Sequence, residues 1–328
     1  MLRAQYASRS PVPQDSIDAV EFDVPPLTEG QALVQVLAAP INPSDVLTLT
    51  GEYGMLPPLP AIGGNEGVGR IVELGPKTSA PPVGTTVVLP VGAGTWVTHL
   101  VADAKKLVAL PGTADPLQLS MLTINPPTAS LMLSDFVALA PGDWVIQNAA
   151  NSAVGGYVRQ LAKLRGYRTV SVVRRESAIA AVQAMNGDVV LVDGPDLAKR
   201  VAAATDKAAI KLAIDAVGGT STDHLASCLA VGGTLVNYGL MSGAPCQVSA
   251  SNLVFKDVTL RGFWLALWFR KAAPAQVQAL YGELAMLVAT KQLSARVQAT
   301  FDVREIKQAV ALAAAGEREG KVLIVPKG

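Results

Sequence analysis

The sequence predicts an α/β protein of two domains, one a small all-β unit and the other a doubly wound parallel sheet flanked by helices. Three observations carry this. At 328 residues the chain is longer than a single hydrophobic core comfortably serves, since such cores stop growing near ~250–300 residues. Up to about residue 120 the chain is dense in Gly and Pro, with short apolar runs such as ALVQVLAAPI, VGRIVELG and GTTVVLPVG between the turn residues, as in a barrel or sandwich-like unit. From about residue 125 alanine-rich helical patterns alternate with short strands, which is how a parallel sheet is wound.

Within the second region DWVIQN (143–148) is a strand. Val154, Val158, Leu161 and Ala162 then recur at helical spacing up to Gly166, which suits a helix C-cap. TVSVVR (169–174) is the next strand; KLAIDAVGG is a strand ending in glycines, HLASCLA a helix, and GGTLVNYG a strand whose last glycine opens a loop. The tail holds a helix in AQVQALYGELAMLVATK, a strand at VQATF, a helix in VREIKQAVALAAAG and a closing strand KVLIVP.

Composition narrows the function. With 27 Lys+Arg against 26 Asp+Glu the net charge is +1, too little for the electrostatic footprint of a nucleic-acid or anionic-membrane binder. The most apolar run, FWLALWF (263–269), is far short of the ~18–20 residues that span a bilayer. The start, MLRAQYASRSPVPQ, carries no apolar signal run, and a cytoplasmic location is expected from it. Cys228 and Cys246 are too isolated for a zinc knuckle or a disulfide framework, and His99 and His224 read as packed or surface residues rather than ligands.

NAANSAVGG follows the DWVIQN strand where a dinucleotide-binding fold carries its glycine fingerprint. Such a site needs a tight turn, close approach of backbone N–H groups to a pyrophosphate and a helix N-terminus behind them. Ala149, Ala150, Ser152, Ala153, Gly155 and Gly156 are small enough to meet these demands, and they also suit an ordinary strand-to-helix turn. The next strand ends in Arg174-Arg175 rather than an acidic residue, which favours NADPH, with its 2′-phosphate, over NADH. Glu176 opposes that preference, and a solvated charged loop is the alternative.

INPSD, GEYG, LPAIGGNEGVG, NPPTA, QNAANSAVGG, VVRRE, NYGLM, FKDVTLRGFWLALW and GKVLIV occur in an order that resembles the mitochondrial-type 2-enoyl thioester reductases, a zinc-free branch of the medium-chain dehydrogenase/reductase superfamily. The resemblance spans nearly the whole chain. It implies a GroES-like β-barrel catalytic domain over 1–127 and 263–328, a Rossmann NADP-binding domain over 128–262, and a homodimer.

It also implies a site. Asn42 and Asn65 stand where zinc-dependent relatives keep a Cys and a His, and INPPTA supplies neither. Neutral amides are poor zinc ligands and Glu66 alone cannot hold the ion, so no metal is expected. Tyr53 matches the tyrosine that polarises the substrate carbonyl, a phenol being a donor at neutral pH. NADPH would deliver hydride to Cβ of a trans-2-enoyl thioester, charge would gather on the thioester oxygen, and Cα would be protonated.

By the same resemblance Asn125, Asn151, Ser152, Ala153, Val154, Arg174, Arg175, Tyr238, Gly239, Leu240, Met241, Phe263, Trp264, Leu265 and Lys321 meet the cofactor, and Asn42 and Trp268 border the substrate pocket. Trp268 reads equally as core. Arg270 and Lys271 read as a solvated pair, or as contacts to the phosphates of a pantetheine-type carrier. The expected partner is a thioester on CoA or acyl carrier protein, with no nucleic acid and no membrane. A quinone or enone reductase and an NADPH-binding redox sensor are the competing readings.

Overall fold

The computed structural model describes residues 1–185, 187–316 and 318–327. The chain divides into two compact units, Met1–Ile124 with Ala279–Gly328, and Asn125–Gln278. The first begins with β1 (Leu2–Tyr6), β2 (Ile17–Glu21), β3 (Gln31–Pro40), α1 (Pro43–Thr50), β4 (Ala61–Ile62), β5 (Val68–Leu74), β6 (Thr86–Val88), β7 (His99–Asp103), β8 (Val108–Ala109) and α2 (Pro116–Leu119). The apolar runs singled out in the sequence fall on β3, β5 and β6, bounded by their glycines and prolines.

The second unit runs through α3 (Asn125–Ser134), β9 (Trp144–Gln147), α4 (Ala153–Leu164), β10 (Arg168–Val173), α5 (Ile179–Ala184), β11 (Val189–Val192), α6 (Leu197–Ala204), β12 (Leu212–Asp215), α7 (Gly219–Cys228), β13 (Thr234–Asn237), α8 (Ala250–Val254), β14 (Thr259–Gly262) and α9 (Leu265–Lys271). Its six strands pair in the order β11-β10-β9-β12-β13-β14, every pair parallel. This is the doubly wound order, with its switch point between β9 and β12, where such sheets bind ligands beyond the strands' C-terminal ends. Central strands are covered on both faces and so read as continuous apolar runs; WVIQ and LAID are buried throughout. One face packs Val170 and Val172 against Leu197, Val201 and Leu225, and the other packs Val173 against Ala150, Val182 and Val190.

α10 (Pro274–Ala289) returns the chain to the first unit, which closes with β15 (Val297–Phe301), α11 (Ile306–Ala314) and β16 (Lys321–Ile324). There β15-β16-β3-β5-β6-β8 form one sheet, with β7 also paired to β3, and β2-β1-β4 form another. The ten residues of β3 make this possible, since β7 pairs with Gln31–Gln35 while β16 pairs with Ala39 and Pro40. Ile17, Val34, Ile71, Trp96, Val310 and Val322 share the core, and the Trp96 indole N–H donates to the Pro40 carbonyl at 3.1 Å.

The predicted architecture of a β unit and a doubly wound parallel sheet is what the chain adopts. Residues 263–278, expected with the barrel, belong to the parallel-sheet unit. Contacts fasten them there: Phe263 packs edge-on to Phe136 at 5.9 Å, and the Trp268 indole N–H donates to Asp135 at 3.0 Å. Among the described residues no helix is long and apolar enough to cross a membrane.

Candidate active site

In the parallel-sheet unit the turn after β9 has the form a diphosphate needs. Ala149 takes a left-handed φ of 45°, Ala150 is buried, and Asn151 reaches the surface. Ser152 caps α4, its hydroxyl accepting the Gly155 N–H at 3.1 Å, a bond worth about 1 kcal/mol to the helix. A Cβ on Gly155 would lie 2.7 Å from the Ala150 carbonyl and 2.9 Å from that of Ala149, so only glycine lets helix and turn close this tightly. Together these features meet the fingerprint's demands for a tight turn and a helix N-terminus directly behind it.

Other expected cofactor residues cluster around this turn. The Tyr238 phenol, after β13, hydrogen-bonds Ser152, and burial raises its pKa well above the ordinary value. Gly239 passes so close to β12 that a Cβ would meet the Ala216 carbonyl at 2.7 Å, while Leu240 and Met241 turn outward. Arg174, at the end of β10, is exposed, and Arg175 beside it is half-buried with partners of its own. Asn125 opens α3 in a buried position, partnered.

Phe263 follows β14, and Trp264 starts α9 with Arg270 stacked over its ring at 5.3 Å. Leu265 and Ala266 fill the first turn of that helix, which has no buried residue. Sequence reasoning missed Asp215, a fully buried carboxylate at the end of β12. It accepts from Asn148 (2.6 Å), Thr222 (2.7 Å), Asn237 (3.0 Å) and the N–H groups of Val217 (2.9 Å) and Gly218 (3.1 Å). It braces the ends of β9, β12 and β13 around the switch point; its signal was an acidic residue ending an apolar strand ahead of glycines.

In the β unit Tyr53 is set by α1. Gly51 ends that helix at φ 87°, and the N–H groups of Gly51, Glu52 and Tyr53 all reach the Leu47 carbonyl, the last two at 2.8 and 3.1 Å. The left-handed glycine turns the chain sharply and leaves Tyr53 half-buried and partnered.

At the other end of α1 the two expected zinc-ligand positions join a closed polar network. Asn42 Nδ2 donates to Glu66 Oε1 at 2.7 Å, and Asn65 Nδ2 donates to Asp45 Oδ1 at 2.7 Å. Asp45 Oδ2 accepts the Asn42 N–H at 2.7 Å. Glu66 Oε2 accepts the Thr123 N–H, the Thr123 hydroxyl and the Ile124 N–H, each at 3.0 Å.

Lys321 was expected as a cofactor contact, but the structure turns its ammonium inward, donating to Asn42 Oδ1 and, at 3.3 Å, to the Ile41 carbonyl. Burial raises the pKa of Glu66 and takes that of Asp45 to about 7, with the Lys321 charge working against both. Burial also lowers Lys321 to about 8, against the pull of Glu66 and Asp45. Asn42, expected at the substrate pocket, bonds Glu66 and Lys321, and the Trp268 indole bonds Asp135. Among the described residues no group of three or more His, Cys, Asp or Glu side chains is placed to hold a metal ion.

Known proteins match this layout unit by unit. Residues 28–112 match the alcohol dehydrogenase GroES-like domain, and residues 153–281 match the zinc-binding dehydrogenase family. The rat mitochondrial enoyl-(acyl-carrier-protein) reductase is 39% identical over 84% of this chain and 76% of its own length. Among solved structures, a candidate NADPH:quinone reductase from Bacillus thuringiensis superposes with a TM-score of 0.90 at 28% identity, covering 99% of both chains. Etr1p, solved with NADP and crotonyl-CoA, and as the 2-enoyl thioester reductase Etr1p/Etr2p heterodimer from Candida tropicalis, gives 0.87 at 26% identity, again over 99% of both chains.

The cytoplasmic expectation is corrected by these relatives, which are described as mitochondrial. That expectation rested on the composition of the first residues of the sequence. With 39% and 38% identity to the rat and human enzymes over 84% of its length, the chain belongs to the mitochondrial enoyl-(acyl-carrier-protein) reductase family of the medium-chain dehydrogenase/reductase superfamily.

Proposed function

We propose that this chain reduces the carbon–carbon double bond of trans-2-enoyl thioesters with NADPH. The observation that carries the reading is its 39% identity to an enoyl-(acyl-carrier-protein) reductase over most of both sequences. The complex of Etr1p with NADP and crotonyl-CoA supports the cofactor and the substrate class. We assign the cofactor to the unit Asn125–Gln278 and the catalytic role to Met1–Ile124 with Ala279–Gly328.

Bound NADPH supplies the hydride that goes to Cβ. Asn151, Ser152, Ala153 and Val154 would hold its diphosphate at the α4 N-terminus, whose partial positive charge favours an anion. Arg174 and Arg175, which follow β10, would hold its 2′-phosphate. Asn125 would serve the nicotinamide end, with Tyr238 to Met241 and Phe263 to Leu265 as further cofactor contacts. As negative charge builds on the thioester oxygen, the Tyr53 phenol donates to it, the stabilisation an oxyanion site provides. Cα is then protonated, with Tyr53 as the proton relay.

Zinc has no part in this reading, because amides occupy the two ligand positions and are already bonded to Glu66 and Asp45. A homodimer formed through the parallel sheets completes it. All four residues of the edge strand β14 are exposed, and Val254 and Phe255 nearby are 70% and 81% exposed.

Steady-state assays with crotonyl-CoA and a longer enoyl-CoA test the proposal. The expected result is NADPH oxidation with a much higher kcat/KM than with NADH, and no oxidation above background sinks it. The 28% identity to the candidate NADPH:quinone reductase favours a second reading, a quinone or enone reductase built on the same hydride chemistry. A higher kcat/KM for quinones than for enoyl thioesters in the same assay selects that reading.

A further inference from the structure

Arg159 lies two turns into α4, directly behind the Ala149–Ser152 turn, and is 2% exposed. Its Nη1 donates to the Ala150 carbonyl, its Nε–H has no partner, and among the described residues no carboxylate pairs with it. Burial lowers its pKa to about 10, so it remains a cation at neutral pH. A buried charge without a counter-ion is costly, and an apolar side chain of the same length would fill the space with no such penalty. The α4 N-terminus next to it has the same sign, so protein and helix together present uncompensated positive charge at this one turn.

We infer that Arg159 is a positioning residue for the diphosphate of the dinucleotide, acting from beneath the turn. This rests on the reading of NAANSAVGG as the cofactor loop. Two effects combine. The guanidinium holds the Ala150 carbonyl inward, against Gly155, which leaves the N–H groups that follow it to face the ligand. Its charge adds to that of the helix end, and the compensating anion comes from outside the protein.

Titration of the unliganded full-length chain with NADPH and with NADH, alongside thermal unfolding without cofactor, tests this on Arg159→Met, Arg159→Gln and Arg159→Lys. Arg159→Met removes charge and donor, and Kd is expected to rise about tenfold or more for both dinucleotides, since both carry the same diphosphate. Tm is expected to stay level or rise, because an unpaired buried charge has gone. Arg159→Gln keeps a donor for Ala150 without the charge and should lose affinity as well, while Arg159→Lys keeps the charge and should recover most of it.

Unchanged Kd in either uncharged variant overturns the inference. A loss confined to NADPH also overturns it, since that points to the 2′-phosphate. So does a loss that falls in step with Tm and is not recovered by Lys. Should Arg159→Met fail to fold, the Gln and Lys variants decide alone. A wild-type chain that binds neither dinucleotide overturns the proposed function itself.

Discussion

Tyr53 owes its place to three N–H groups converging on one carbonyl, that of Leu47, after a left-handed glycine. Its function is expected to lie in the phenol hydroxyl alone, so Tyr53→Phe should lower kcat on crotonyl-CoA about 100-fold with NADPH Kd unchanged, the size of effect seen when an oxyanion donor is lost. Full retention of kcat would remove Tyr53 from the mechanism. Tyr53 was singled out through the family resemblance rather than through its four-residue loop, and Arg174 through its place directly after a strand. Lys321 and Arg159 were not read in their true settings. A charged side chain reads as exposed by default, and nothing local in the sequence reveals that one closes a buried network with Glu66 and Asp45 while the other lies under a loop.

The short helix α1 links two chemistries, with the polar network at its start and Tyr53 just past its end. Asp45 titrates near neutrality because burial has raised it from 3.8 to about 7. The folded chain thus holds that proton more tightly than the unfolded chain, a stabilisation complete below the unfolded value and lost as pH rises through the folded one. Lys321 runs the other way. Lowered from 10.5 to about 8, it contributes stability at high pH that disappears as pH falls through that value.

Asp45→Asn should isolate the first effect. The Tm advantage of wild type over the variant is expected to shrink by about 2–4 °C between about pH 5 and about pH 8, and an advantage independent of pH would show that Asp45 does not titrate there. Among elements, the helices and strands of regular period were readable in the sequence. FWLALWFRK was not, because α9 is apolar around most of its surface and too short to display a face; its contacts to Asp135 and Trp264, rather than its periodicity, give it a place. VVLV, which forms β11, is so short an apolar run that it announces neither strand nor helix.

For the whole molecule, the alternation of strand and helix announced the parallel sheet, and the strand order it adopts is the doubly wound one. The second unit boundary, expected near residue 263 and found after Gln278, was less readable, because contacts made far away in sequence, such as that between Phe263 and Phe136, help decide which unit a segment joins. Assembly is expected to depend on the sheet edge. Phe255→Asp with Leu260→Asp should shift the chain from dimer to monomer in sedimentation or light scattering while its circular dichroism stays native, and a wild-type monomer would refute the proposed homodimer. The network beneath α1 carries one last consequence. Lys321 is a counter-ion tethered by its own backbone, present once per chain at an occupancy that neither dilution nor a chelator can lower. One positive charge for the Glu66 and Asp45 pair is written into the polypeptide, and it is in place as soon as β16 pairs with β3.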